Sequence, residues 1–212
     1  MKIDSRFYLI ILLFSTMLVF GQCKKDEPED NTPVDELAFT DAEKALIYNN
    51  SSDSAMYVMN YFIHADSLIL RKQSIDVNFN DTATLNRLTA RMKVTVLAED
   101  GVGIAAPQVG INRNIIWVQR RDKTGMPFEC YLNPKIILYS NKAISFVGDG
   151  CLSVPGMSGT SHRYSAVVVD YDRPDGTHNT ELIEGYSGSN FTAVIFQHEI
   201  DHLNGIVYLD RL

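Results

Sequence analysis

The residues best suited to chemistry lie between Ser189 and Gly205. His198 and His202 stand four positions apart, so on a helix both imidazoles leave one face a turn apart. Two neutral imidazoles at that spacing can bind one metal ion, and Glu199 beside the first then sits where it can take a proton from water at that ion. Asn190 or Ser189 suits the start of such a helix, and Gly205 suits the position just past its end. Phe191, Val194, Ile195, Phe196, Ile200 and Leu203 are spread around it and leave no polar face, which predicts a buried helix. His198, Glu199, Asp201 and His202 do not belong in a dry core unless something pairs them. The pattern also suits histidines satisfied within a core, and both readings stand at this point.

Two histidines leave a tetrahedral site short of one protein ligand and one open position. The chain has three cysteines, Cys23, Cys130 and Cys151, and the last is set in Gly148-Asp149-Gly150-Cys151-Leu152-Ser153-Val154-Pro155-Gly156. Glycines on both sides let the backbone approach something closely. Judged alone, Cys151 reads first as a small core hydrophobe. A second run of small residues is Gly101-Val102-Gly103-Ile104-Ala105-Ala106-Pro107-Gln108-Val109-Gly110, in which Gln108 is a neutral donor able to polarise a carbonyl. It lacks the strand-before-helix context and third glycine of a dinucleotide fingerprint.

The elements that must position these groups follow from periodicity. Asp35 to about Asp66 reads as one or two helices, opened by Thr40-Asp41-Ala42-Glu43, which has the form of a capping box, and carrying Met56, Tyr57, Met59 and Tyr61 at helical spacing. Thr84 to Asp100 reads as a helix with Leu85, Leu88, Met92, Val96 and Leu97 inward and Arg87, Arg91 and Lys93 outward. From Gly110 the period becomes two: 115–119, 128–132, 135–139, 143–147 and 166–171 read as strands, with turns at 122–125 and 172–176. Helices, then many short strands, then one buried helix imply an α+β fold: antiparallel β-sheets wrapped around a buried C-terminal metal-binding helix, with additional N-terminal helices. The net charge of −7, with no Lys/Arg cluster outside the N-terminus, gives no electrostatic reason to expect a nucleic acid as partner.

Together the three segments are specific. Gly101-x-Gly103-x-Ala105-Ala106-x-Gln108, Gly150-Cys151-Leu152-Ser153 and His198-Glu199-x-Asp201-His202, in that order, resemble the three signature motifs of the peptide deformylases from about Asp66 to the C-terminus. The resemblance implies Cys151, His198 and His202 as metal ligands and Glu199 as general acid/base. It implies Gln108 and the backbone N–H of Leu152 as the groups that hold a developing oxyanion, and Gly103 and Gly150 as backbone partners of the peptide. The implied cofactor is one divalent metal ion, Fe2+ first, with Zn2+, Ni2+ or Co2+ as alternatives. The implied reaction is hydrolysis of N-formylmethionyl peptides to formate and a free N-terminal Met. Asp201 is either an orienting carboxylate for a ligand histidine or an exposed helix charge. Asp149 stands where the family usually has Glu. That acid pairs in the family with an Arg matching Arg163, and the shorter arm predicts that this buried pair is strained or lost. The chain ends at Leu212, without the further C-terminal helix of many cytosolic members.

The N-terminus reads separately. Lys2 and Arg6 precede an apolar run from Phe7 to Phe20, of secretory length and short for a membrane span. Cys23 and the polar stretch Lys24 to Pro33 follow. This resembles a bacterial lipoprotein signal with Cys23 as the lipidated residue, although Gln22 stands where a small residue is usual. Lys25-Asp26-Glu27 resembles the export signal of surface lipoproteins in some Gram-negative phyla. The expected organisation is a signal peptide (1–22), a flexible tether (23–35), a helical extension (36–65) and a catalytic domain (66–212). The expected place is outside the cytoplasm, on the periplasmic side or the cell surface, held to the membrane by a lipid on Cys23. Two rivals use the same residues: a catalytically impaired formyl-peptide-binding lipoprotein, favoured only by Asp149, and a zinc endopeptidase, which Cys151 and the Gly103–Gln108 segment disfavour.

Overall fold

A computed structural model describes residues 35–212. The expected signal peptide, Cys23 and nearly all of the tether lie outside them.

Helix α1 (Asp41–Tyr48) opens on the expected capping box, in which the Thr40 side chain accepts from Glu43 N–H and the Glu43 carboxylate accepts from Thr40 N–H at 2.8 Å. Helices α2 (His64–Leu70) and α3 (Thr82–Ala98) follow. The helix expected through Met56–Tyr61 is absent, and this stretch runs without regular structure, carried by bonds to distant partners. Met56 N–H donates to Thr95 Oγ1 (2.9 Å), Met59 N–H to Gln108 O (2.8 Å) and Tyr61 N–H to Ser153 O (2.8 Å). On α3, Leu85, Leu88, Met92 and Val96 are buried as expected, whereas Leu97 is exposed and Arg91 is buried, reversing both assignments. Arg91 turns inward because carbonyls await it: its guanidinium donates to Leu46 O, Ile47 O, Ser54 O and Ala55 O and to Asn49 Oδ1.

Strands β1 (Gly103–Ala105), β2 (Ile115–Gln119), β3 (Phe128–Tyr139), β6 (Ala166–Asp172) and β7 (His178–Glu184) form one antiparallel sheet in the order β1-β2-β3-β6-β7. Strands β4 (Ala143–Cys151) and β5 (Val154–Tyr164) form a separate two-stranded ribbon. The two segments expected at 128–132 and 135–139 are one strand, irregular between Leu132 and Lys135. Ile115 and Leu132 face the cluster that contains Leu88 and Met92 of α3, while Ile116, Val118 and Tyr131 face α4 (Thr192–Leu203). Burial on both faces explains why β2 reads as an almost unbroken apolar run. Every residue of α4 is buried, and Phe196 meets Tyr131 edge to face with centroids 4.7 Å apart. This α+β arrangement, antiparallel sheet against an enclosed C-terminal helix, is the expected one.

Candidate active site

Helix α4 is locked at both ends. At its start Asn190, one residue before the Phe191 N-cap position, accepts from Thr192 N–H and Oγ1. At its end Gly205 has φ +71°, and a Cβ there would strike the backbone of Arg71, so only glycine fits. Enclosure from start to finish leaves the C-terminal half of α4 no freedom to rotate its polar side chains away from the ribbon.

Cys151 ends β4 beside them. Its Sγ lies 3.2 Å from His202 Nε2, and one ligand atom each from Cys151, His198 and His202 falls within 4.8 Å of the others. Bonds of the usual lengths from a tetrahedral ion, about 2.3 Å to sulfur and 2.0–2.1 Å to nitrogen, would separate those two atoms by about 3.6 Å. The observed spacing needs little adjustment to admit an ion. His198 Nδ1 is engaged by Asp149 Oδ1 at 3.0 Å, which leaves Nε2 for the ion. Burial, reinforced by the charge of His198, holds the His202 pKa well below the ordinary value, so its lone pair is free. A thiolate and two imidazoles suit a borderline divalent ion.

Glu199 is buried, and its Oε2 has no partner among the described residues. Burial pushes its pKa up to about 7, so the carboxyl can gain or lose a proton near neutrality. Gly103 lies against it: a Cβ at Gly103 would come within 2.8 Å of Ile195 Cγ2 and 2.9 Å of Glu199 Cδ. Gln108 is buried, and its orientation is fixed because Oε1 accepts from Ala105 N–H (2.9 Å). Its Nε2 points to Cys151 Sγ (3.5 Å, an ordinary length for sulfur) and Ser153 Oγ (3.4 Å, a long contact). Leu152 occupies the turn between β4 and β5, immediately after Cys151. Gly103, Gln108, Gly150, Cys151, Leu152, His198 and Glu199 all border one cleft of about 390 Å³. Its apolar wall includes Phe146, Phe191 and Val194.

The expectation for Asp149 is corrected. Its shorter arm keeps the buried pair: Oδ2 meets Arg163 Nη2 at 3.0 Å while Oδ1 takes His198. Although burial opposes its charge, the bond from His198 and the charge of Arg163 hold its pKa well below the usual carboxylate range. Asp201 matches neither alternative. It is buried and bonds to Arg163 and Arg211, not to a ligand histidine. Arg211 went unread in the sequence, since a single arginine ten residues from Asp201 carries no pattern. Cys130 is buried far from any ligand role, its thiol pKa pushed up by burial.

A Cys-His-His ligand set with a buried carboxylate beside it, at the foot of an apolar cleft, defines a metal-dependent hydrolase. The chain belongs to the polypeptide deformylase family, which it matches over residues 59–212. It is 36% identical over 153 residues to a peptide deformylase of Leptospira biflexa, covering 68% of this chain and 82% of that one. A class I type b peptide deformylase from Acinetobacter baumannii, solved with Met-Ala-Ser bound, superposes with a TM-score of 0.66 at 32% identity. That match covers 76% of this chain and 99% of the other. The peptide deformylase from Thermus thermophilus gives a TM-score of 0.63 at 29% identity, over 74% and 86% of the two chains.

Proposed function

We propose that this protein deformylates N-formylmethionyl peptides outside the cytoplasm, as a lipoprotein anchored through Cys23. The observation that carries the chemistry is the meeting of Cys151, His198 and the buried His202, with Cys151, His198 and the Glu199 carboxyl bordering one cleft. The signal-like N-terminal sequence supports the location.

In this reading the methionine side chain lies against Phe146, Phe191 and Val194, and the backbone of Gly103 and Gly150 holds the peptide. Cys151, His198 and His202 would hold a divalent ion, which when bound would supply Lewis acidity toward the formyl oxygen and lower the pKa of a water; Fe2+ is the first candidate. Gln108 Nε2 and Leu152 N–H receive the oxygen as it gains charge. Glu199 accepts the proton released by water and passes it to the departing amine, which its pKa near 7 suits at neutral pH. The open wall of the cleft and the enclosed carboxyl divide the labour between holding substrate and moving the proton. The binding-only alternative loses its one support, because Asp149 retains both Arg163 and His198.

The test is formate release from N-formyl-Met-Ala-Ser by the protein loaded anaerobically with Fe2+ and separately with Ni2+, with Glu199→Ala as control. Turnover that vanishes in the variant is expected. Binding of the peptide without turnover in the metal-loaded protein would restore the receptor reading. For the location, Cys23→Ser is expected to move the protein out of the membrane fraction, and fusions that report a cytoplasmic domain would refute it.

A further inference from the structure

The penultimate residue of the chain reaches the metal-ligand site through an unbroken run of ion pairs. Arg211 Nε and Nη2 donate to Asp201 Oδ2 (3.0 Å) and Oδ1 (2.6 Å), the forked geometry that fixes a carboxylate in position. Asp201 Oδ2 also accepts from Arg163 Nη1, and Arg163 Nη2 donates to Asp149 Oδ2 at 3.0 Å. Asp149 Oδ1 then engages His198 Nδ1 at 3.0 Å. Signs alternate from Arg211 to Asp149, and Arg163 and Asp149 are almost wholly buried.

We propose that Arg211 is a positioning residue for the metal centre, acting on His198 through Asp201, Arg163 and Asp149. The claim rests on reading Cys151, His198 and His202 as the metal ligands. Two observations carry it. Among the described residues Arg163 is held by carboxylates alone: its Nε has no partner, and each Nη serves one acid. Its placement is therefore a balance between Asp149 and Asp201. Asp149 is short-armed and already shared with His198, so it cannot follow if Arg163 shifts. The second observation is that Oδ1 of Asp201 has Arg211 as its sole hydrogen-bond partner among the described residues. Remove Arg211 and Asp201 swings onto Arg163, drawing the guanidinium from Asp149 and loosening the ring whose Nε2 faces the ion. Outer partners of metal ligands typically change metal affinity 10–100-fold. Arg211 stands four links from His198, so the low end of that range applies.

Arg211 suits the experiment because its side chain is 40% exposed; truncating it removes a charge without opening the core. Co2+ binding to the full chain would be titrated by its ligand-field absorption in competition with a chelator. Wild type would be compared with Arg211→Ala, Arg211→Lys and, as a control for loss of one exposed charge, Lys44→Ala. We expect Arg211→Ala to raise the Co2+ Kd about tenfold and to alter the absorption bands. Turnover of N-formyl-Met-Ala-Ser should fall in kcat with KM within twofold. Arg211→Lys should recover part of the affinity, and Lys44→Ala should match wild type. Asp201→Asn, which keeps the shape and loses the charge that would draw Arg163 away, should leave Arg163 on Asp149 and raise the Kd less than Arg211→Ala. Unchanged Co2+ affinity and spectrum in folded Arg211→Ala would overturn the proposal while leaving the deformylase reading intact. Failure of the wild type to take up Co2+ would overturn both.

Discussion

Gln108→Glu tests the oxyanion assignment with the least disturbance. Glutamate keeps an oxygen for the Ala105 N–H bond, which is 2.9 Å long in the native protein, and replaces the Nε2 donor by a charged acceptor. That donor now contacts Cys151 Sγ at 3.5 Å, an ordinary length for N–H···S, and Ser153 Oγ at 3.4 Å, a long N–H···O. Turning to an oxygen that acquires charge in the transition state exchanges a weak N–H···S contact for a stronger, charge-assisted bond. Loss of one such donor costs roughly 3 kcal/mol, or a 10²–10³-fold fall in kcat. We expect that fall for Gln108→Glu and for Gln108→Ala, with KM for N-formyl-Met-Ala-Ser within threefold. Stopped assays of formate release at matched metal content measure it, metal being quantified in each preparation. A kcat within fivefold of wild type in both variants would refute the role given to Gln108.

Three further outcomes follow from the geometry. Glu43→Gln should destabilise the protein by about 3 kcal/mol in urea unfolding, because Arg113, almost fully buried, loses a charged partner held at 2.7 Å through both Nε and Nη2; a change under 1 kcal/mol would contradict this. In metal-free protein the raised pKa of Glu199 favours folding below the ordinary carboxylate pKa near 4.5, and that contribution, on the order of 3 kcal/mol, is lost as pH rises through 7. Glu199→Gln should therefore show a flatter loss of stability than wild type between pH 4.5 and 8; parallel curves would exclude the shift. Iodoacetamide at pH 8 should modify Cys151 and spare Cys130, whose thiol burial holds protonated, and added metal should protect Cys151. Mass spectrometry of the labelled peptides decides it.

The sequence made the site legible because its groups sit in three short motifs, and α4 legible because Phe191 to Leu203 is apolar on every side. Strand β5 was not legible. It contains Pro155, Gly156 and Gly159, and it pairs only with β4 in a ribbon with mostly exposed side chains, so no alternation of apolar residues marks it. Strand β7 is an edge strand with Ile183 as its one buried residue. The Met56–Tyr61 stretch has helical spacing, yet its backbone N–H groups find better partners in Thr95, Gln108 and Ser153, which lie up to about ninety residues away. Arg91 looked solvated because the carbonyls that hold it belong to residues 46–55, which periodicity cannot place. The fate of Asp149 depended in the same way on where the Arg163 guanidinium came to rest.

The complete enclosure of α4 has a consequence for where the protein obtains its ion. Cys151 is brought to the histidines across some fifty residues, on a ribbon distant in sequence from the helix. A chain still being synthesised or threaded through a membrane lacks a preformed ligand cage, and a preformed cage is what gives a metal site most of its affinity. Uptake therefore belongs to the end of folding, in whichever compartment folding finishes. The resident metal is then chosen by what that compartment supplies as well as by the ligands, and the same polypeptide matured in two places would emerge as two different metalloenzymes.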